Sequence, residues 1–194
     1  HNEATAYACL NGHTWDNFTS HLYVSKNYGG SWEKTGTDLP SEPINVVKED
    51  PKNPNVLYVG TDNGVYVSLN KGKNFMRFTG GLPAVAVHDL VIQPRESDIV
   101  LGTHGRSIWI ASVKEIQQLN DSILAKNIFV FDMAAPVYSE GWGKKQSAWD
   151  EPNEPLLAIP YYLKSKGNST IRIKTKTGLL LKELKDTCET GLNY

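Results

Sequence analysis

The chain is poor in cysteine and methionine, with two of each in 194 residues. Cys9 and Cys188 stand near opposite ends of the sequence, so they make no disulfide framework and pair only if the two ends meet. Long apolar runs are missing as well. No stretch approaches the roughly 18 to 20 residues that a membrane helix needs, so no membrane span is expected. Net charge is almost absent, with 20 basic against 21 acidic residues, and this gives no support to a nucleic-acid or polyanion partner. The five histidines (His1, His13, His21, His88 and His104) show no metal-ligand spacing such as His-Glu-x-x-His. A Gly-x-Ser-x-Gly elbow and a glycine-rich phosphate loop are absent too, so neither a metal nor a cofactor is expected. His1 is followed by no charged segment leading into an apolar one, which implies either a removed signal peptide or a start that is not the gene's own.

What the sequence does contain is a repeat of 43 residues. Leu22-Tyr23-Val24-Ser25 recurs as Val65-Tyr66-Val67-Ser68 and again as Ile108-Trp109-Ile110-Ala111, and Leu39-Pro40 recurs as Leu82-Pro83. Short β-type runs repeated at this period are the signature of propeller blades. The second copy has four such runs, at 44–48, 56–60, 65–68 and 75–78, with the hairpin signal Asp62-Asn63-Gly64 between two of them. The third copy has runs at 87–92, 99–102 and 107–110, then a short helix over 113–120, with Ile128-Phe129-Val130-Phe131 available as its closing strand. Before residue 22 there is room for little more than one strand pair. The expectation is an all-β chain carrying about two and a half four-stranded blades, where a closed propeller has about four to eight. Blades left open at their edges expose apolar sheet and unpaired backbone, so the remaining blades are expected from a separate chain or a missing part.

After the first two copies comes a shared frame, Ser-x-Asn-x-Gly-x-x-aromatic. It is carried by Ser25, Asn27, Gly29 and Trp32, and again by Ser68, Asn70, Gly72 and Phe75. A short amide accepts backbone N–H bonds within its own turn, glycine permits positive φ, and the aromatic plugs the blade edge, so the frame is a fold-stabilising device. It resembles the Asp-box, or BNR repeat, of sialidase-like and sortilin-like propellers, with asparagine where aspartate is usual. Val87-His88-Asp89-Leu90, Pro94-Arg95 and the run from Leu101 to Trp109 look like the last blades of secreted bacterial BNR-repeat proteins of the glycosyl-hydrolase type. The resemblance covers residues 1–131 and implies a secreted, periplasmic or cell-surface protein. It also implies a small immunoglobulin-like sandwich after the propeller. Strand candidates at 156–163, 170–175 and 179–184, with Gly191 to Tyr194 opening another, fit the start of one over 154–194, behind a linker at 132–153.

Hydrolysis of a glycoside needs two carboxylates about 5 to 9.5 Å apart. Glu49, ending an inner strand, and Asp89, starting the next, are the catalytic candidates; Asp50, before a proline, reads as a turn cap and Asp62 as a turn former. His88, His104 and Arg106 are the candidate ligand-binding residues, since an arginine can hold a carboxylate through two bonds. Trp15, Trp142 and Trp149 could stack on sugar rings or pack between domains. Three functions stay open: a carbohydrate- or protein-binding propeller, part of an active glycoside hydrolase, and a scaffold without catalysis.

Overall fold

The structure, a computed structural model, describes residues 2–78, 82–133, 135–155 and 157–194. His1, Ala134 in the expected linker and Leu156 at the start of an expected strand lie outside them. The chain divides into two compact units, His1–Leu119 and Asn120–Tyr194.

In the first unit, β1 (Ala6–Gly12), β2 (Asn17–Ser25) and β3 (Glu33–Lys34) form one antiparallel sheet. A second holds β4 (Ile44–Glu49), β5 (Leu57–Thr61), β6 (Gly64–Ser68) and β7 (Met76–Phe78); a third holds β8 (Val87–Gln93), β9 (Asp98–Thr103) and β10 (Ile108–Ser112). Val24, Val67 and Ile110, one repeat apart, sit opposite Tyr7, Tyr58 and Val100 in successive sheets, so the three copies occupy equivalent places. This is an all-β fold and a partial propeller. Aligned in this way, the first sheet has no equivalent of β4 and the third no equivalent of β7 among the described residues. The inner strand β4 packs between β1 and β8.

Burial follows from that stacking. β5 is buried along its whole length and Val65 and Val67 of β6 are at most 3% exposed, because the second sheet is covered on both faces. In the third sheet the equivalent residues Ile108 and Ile110 are 70% and 66% exposed. Gly60 shows how closely the blades approach: a Cβ there would lie 2.6 Å from Val46 Cγ1 and 3.0 Å from Val87 Cγ1 of the next sheet. Gly102, at the equivalent place in the third sheet, has nothing nearer to such a Cβ than the Asp89 carbonyl oxygen at 3.6 Å.

The Ser-x-Asn-x-Gly loops close in the same way twice. In the first, Ser25 Oγ donates to Asn27 Oδ1 (3.0 Å) and accepts from Gly29 N (2.8 Å), while Asn27 Oδ1 also accepts from Ser31 N (2.9 Å). In the second, Ser68 Oγ donates to Asn70 Oδ1 (3.0 Å) and accepts from Gly72 N (2.8 Å), and Asn74 N donates to Asn70 Oδ1 (2.9 Å). Gly29 and Gly72 take φ of 85° and 81°, the left-handed values their loop requires. Phe75 packs against the cluster of Leu22, Leu39, Ile44 and Val59, bridging two blades. Trp32 has no such neighbouring sheet among the described residues and is 46% exposed. Asp50 is fully buried as a turn cap. It accepts from the amides of Lys52 and Asn53 and from the Tyr58 hydroxyl and Gln117 Nε2.

The expected helix after the third sheet is α1 (Lys114–Gln118), while Asn120 caps α2 (Asp121–Leu124), its Oδ1 accepting from Ile123 N at 3.1 Å. One strand pairing differs from expectation. The run at 128–131 does not close the third blade: β11 (Ile128–Val130) pairs with β12 (Tyr161–Leu163) inside the second unit. β12 also pairs with β15 (Gly191–Asn193), and β13 (Gly167–Lys174) pairs with β14 (Leu180–Cys188) as a two-stranded ribbon. Tyr161 and Ser169 touch the buried Cys188 Sγ through their hydroxyls at 2.7 and 2.9 Å, tying the ribbon to the three-stranded sheet. Both Cys9 and Cys188 are free thiols.

Candidate functional site

The two inner strands of the first unit each carry a register shift near their start. In β4 it falls between Ile44 and Val46, and in β8 between Val87 and Asp89, so Asn45 and His88 are the displaced residues. They are one repeat of 43 residues apart. A bulge turns a side chain away from the regular alternation, and bulges concentrate beside functional sites. Asn45 uses this freedom to donate from Nδ2 to Asp62 Oδ1 (2.9 Å), and Asn11 Nδ2 of the first sheet donates to Asn45 Oδ1. In the third sheet the ring of His88 meets that of His104, with centroids 5.5 Å apart and planes tilted by 56°. His104 occupies the β9–β10 connection, the counterpart of the β5–β6 connection that holds Asp62. The pair Asn45 and Asp62 in one blade is thus replaced by His88 and His104 in the next.

The loop around His104 is fixed by its own backbone. His104 N donates to Ala86 O (2.9 Å), Thr103 Oγ1 donates to Ser107 O (2.6 Å), and Trp109 Nε1 donates to Arg106 O (2.8 Å). Gly105 and Ser107 take φ of 75° and 62° to make the turn. His88, Asp89, His104 and Arg106 are all exposed, and the Arg106 guanidinium forms no hydrogen bond or ion pair among the described residues. Asp89 Oδ1 accepts from Leu90 N at 2.9 Å. At the same end of the sheets, the turn His13–Trp15 between β1 and β2 presents Trp15, which is 79% exposed. Below this surface the buried Glu42 accepts from Thr61 Oγ1 (3.0 Å) and Asn63 Nδ2, which braces the β5–β6 connection.

Glu49 stands elsewhere. It closes β4 opposite Leu57, whereas Asp89 pairs with Gly102 near the start of β8, so the two carboxylates lie toward opposite ends of equivalent strands. Burial pushes the Glu49 carboxyl above its ordinary value, and the ammonium of Lys71 opposes the shift. Among the described residues no group of three or more His, Cys, Asp and Glu side chains could hold a metal ion. The sequence names His88, His104 and Arg106 as candidates, and the structure brings the rings of the two histidines together. Asn11 and Asn45 were missed, although the recurrence of positions 45 and 88 in the repeat frame marks the second of them.

No protein-family model matches the chain, and no curated protein matches it. Among solved structures it is similar to a GH74 enzyme from Niastella koreensis, at 16% identity over 53% of this chain and 16% of that one, with a TM-score of 0.44. It is similar to a GH74 xyloglucanase from Xanthomonas campestris at 15% identity over 59% of this chain and 20% of that one, with a TM-score of 0.47. An ancestral GH74 enzyme shows 17% identity over 96% of this chain and 26% of its own, with a TM-score of 0.49. These neighbours are β-propeller glycoside hydrolases, and the chain spans between about a sixth and about a quarter of their length. Residue roles in this chain rest on its own geometry.

Proposed function

We propose that this chain is a carbohydrate-binding part of a β-propeller of the BNR-repeat kind, within a larger glycoside-hydrolase-like protein that works outside the bacterial cytoplasm. The reading rests on one observation. Exposed polar groups (Asn11, His88, Asp89, His104, Arg106) gather at the end of the sheets that also presents Trp15. Amide, imidazole, carboxylate and guanidinium groups together supply the donors and acceptors that sugar hydroxyls need, and an exposed indole offers a face for a pyranose ring. A protein partner would instead want a buried apolar anchor surrounded by a polar rim. Binding is preferred over hydrolysis because Glu49 and Asp89 stand at opposite strand ends, so each would need a facing carboxylate from another part of the parent. Further blades would cover Ile108, Ile110 and the open approach to Gly102.

Calorimetric titration with a panel of neutral oligosaccharides tests the reading. Trp15→Ala and Arg106→Ala are each expected to weaken binding by about 1–2 kcal/mol, roughly five- to thirtyfold, while leaving the fold intact. Unchanged affinity in both variants would remove the site.

A further inference from the structure

The opposite end of the same sheets has a different character. Between the first and second blades lies a cleft of about 450 Å³ whose lining includes Lys26, Lys34, Lys71, Lys73, Tyr7 and Glu33. That volume falls within the roughly 300–1,000 Å³ range of small-ligand sites. Four of the chain's 20 basic residues line it beside Glu33, and the Glu49 carboxylate lies close enough to act on Lys71 and Tyr7. The near-zero net charge gave no hint of this, because the four lysines come from three separate segments. Lys26 lies in the first Ser-x-Asn-x-Gly loop, Lys34 in β3, and Lys71 and Lys73 in the second loop.

The walls are built rather than loose. Thr35 Oγ1 and Gly36 N both donate to Gly72 O (2.5 and 3.0 Å), which clamps the second loop onto the segment after β3. Lys71 N donates to Asn55 O (2.8 Å), and Thr35 N to Leu22 O (3.0 Å). Lys26 is held by Glu33 at 3.0 Å, whereas Lys34 and Lys73 form no ion pair among the described residues. Two uncompensated ammonium groups on fixed backbone make a standing positive field over the cleft. Around them Glu33, Tyr7, Thr5 and Asn2 offer acceptors and donors suited to hydroxyl groups.

We infer that this cleft binds an anionic sugar, a saccharide bearing carboxylate or sulfate-ester groups, with Lys34 and Lys73 meeting the acid groups and Glu33 and Tyr7 meeting ring hydroxyls. The inference is independent of the neutral-sugar site at the other end of the sheets, and each can fail without the other. Lysine suits this task as a point charge on a flexible stem, able to follow acid groups on successive rings. The Glu33 carboxylate favours a ligand with spaced charges and free hydroxyls over a dense polyphosphate.

Titration of the whole chain with trigalacturonate and with a sulfated trisaccharide tests it, and the two arms identify the acid group. Binding of either is expected to weaken by about tenfold or more as salt rises from about 0.05 to about 0.5 M, because exposed charges are screened. The double variant Lys34→Gln/Lys73→Gln is expected to lose affinity by about tenfold or more, whereas Lys34→Arg/Lys73→Arg retains it and Trp15→Ala leaves it unchanged. Both lysines are exposed, so matching thermal melts check that the variants fold. The inference is overturned if neither acidic sugar binds, if Lys34→Gln/Lys73→Gln weakens binding of a neutral trisaccharide as much as that of the acidic one, or if the glutamine variant binds acidic sugar as the parent does. Equal affinity for inorganic phosphate or for a single-stranded oligonucleotide would overturn it too.

Discussion

Tyr58 shows how a single buried group ties stability to pH. Its side chain is fully buried and its hydroxyl donates to Asp50 Oδ2 at 3.1 Å. Burial first, then the neighbouring Asp50 charge and the hydrogen bond to it, push the phenol far above its ordinary value. Because the folded state holds the proton more tightly, the unfolded chain releases it first. This contribution is therefore complete below about pH 10, where free tyrosine titrates, and declines as pH rises beyond it. Tyr7, Tyr66 and Tyr161 are shifted in the same direction, burial leading in each. Urea denaturation across about pH 8 to 11 is expected to show stability falling on the alkaline side, with a shallower fall in Tyr58→Phe. An alkaline limb unchanged by that substitution would contradict the assignment. Residues differed in how far the sequence revealed them. Asn27 and Asn70 were legible because their partners lie within four residues, so the loop chemistry is local. Asn11 and Asn45 were not, since each acts on a residue 34 or 17 positions away and nothing in a short window marks the pairing.

At the level of elements, one sheet presses closely on the next. Gly60 of β5 lies under β8, where a methyl group would strike Val46 and the Val87 backbone carbonyl at 2.6 and 3.1 Å. Gly60→Ala is therefore expected to destabilise the first unit by about 1–3 kcal/mol through overpacking. Gly102→Ala, where a Cβ meets only the Asp89 carbonyl oxygen at an ordinary 3.6 Å, is expected to fall within about 0.5 kcal/mol of the parent or to stabilise slightly through reduced freedom of the unfolded chain. Thermal and urea denaturation of the two variants side by side checks this, and equal losses would mean that β9 is covered as closely as β5. The strands themselves were readable from alternation, turn signals and the repeat. Their partners were not always so. The run at 128–131 has ordinary strand character, and only the tertiary pairing with Tyr161–Leu163 shows that it serves the second unit. β-type sequence states that a strand exists and says little about which edge it joins.

On the scale of the whole molecule, the 43-residue frame predicts an incomplete set of blades, and the sheets carry it out: among the described residues one of three copies in sequence is complete and two are short of a strand. Repetition made the architecture legible because every copy must solve the same packing problem. Function was less legible, since the residues that depart from the repeat, rather than those that keep it, distinguish the blades. Asn45 and Asp62 in one copy stand where His88 and His104 stand in the next. On the proposed function, this end of the sheets, and not the end carrying the Ser-x-Asn-x-Gly loops, is expected to receive neutral sugar. NMR spectra of the labelled chain recorded during titration with a neutral oligosaccharide measure it directly. The largest changes are expected on the His88 and His104 rings and on the amides of residues 11–15, 45, 62, 88–89 and 104–106. Changes confined to residues 25–32 and 68–75, or spread evenly over the chain, would contradict it.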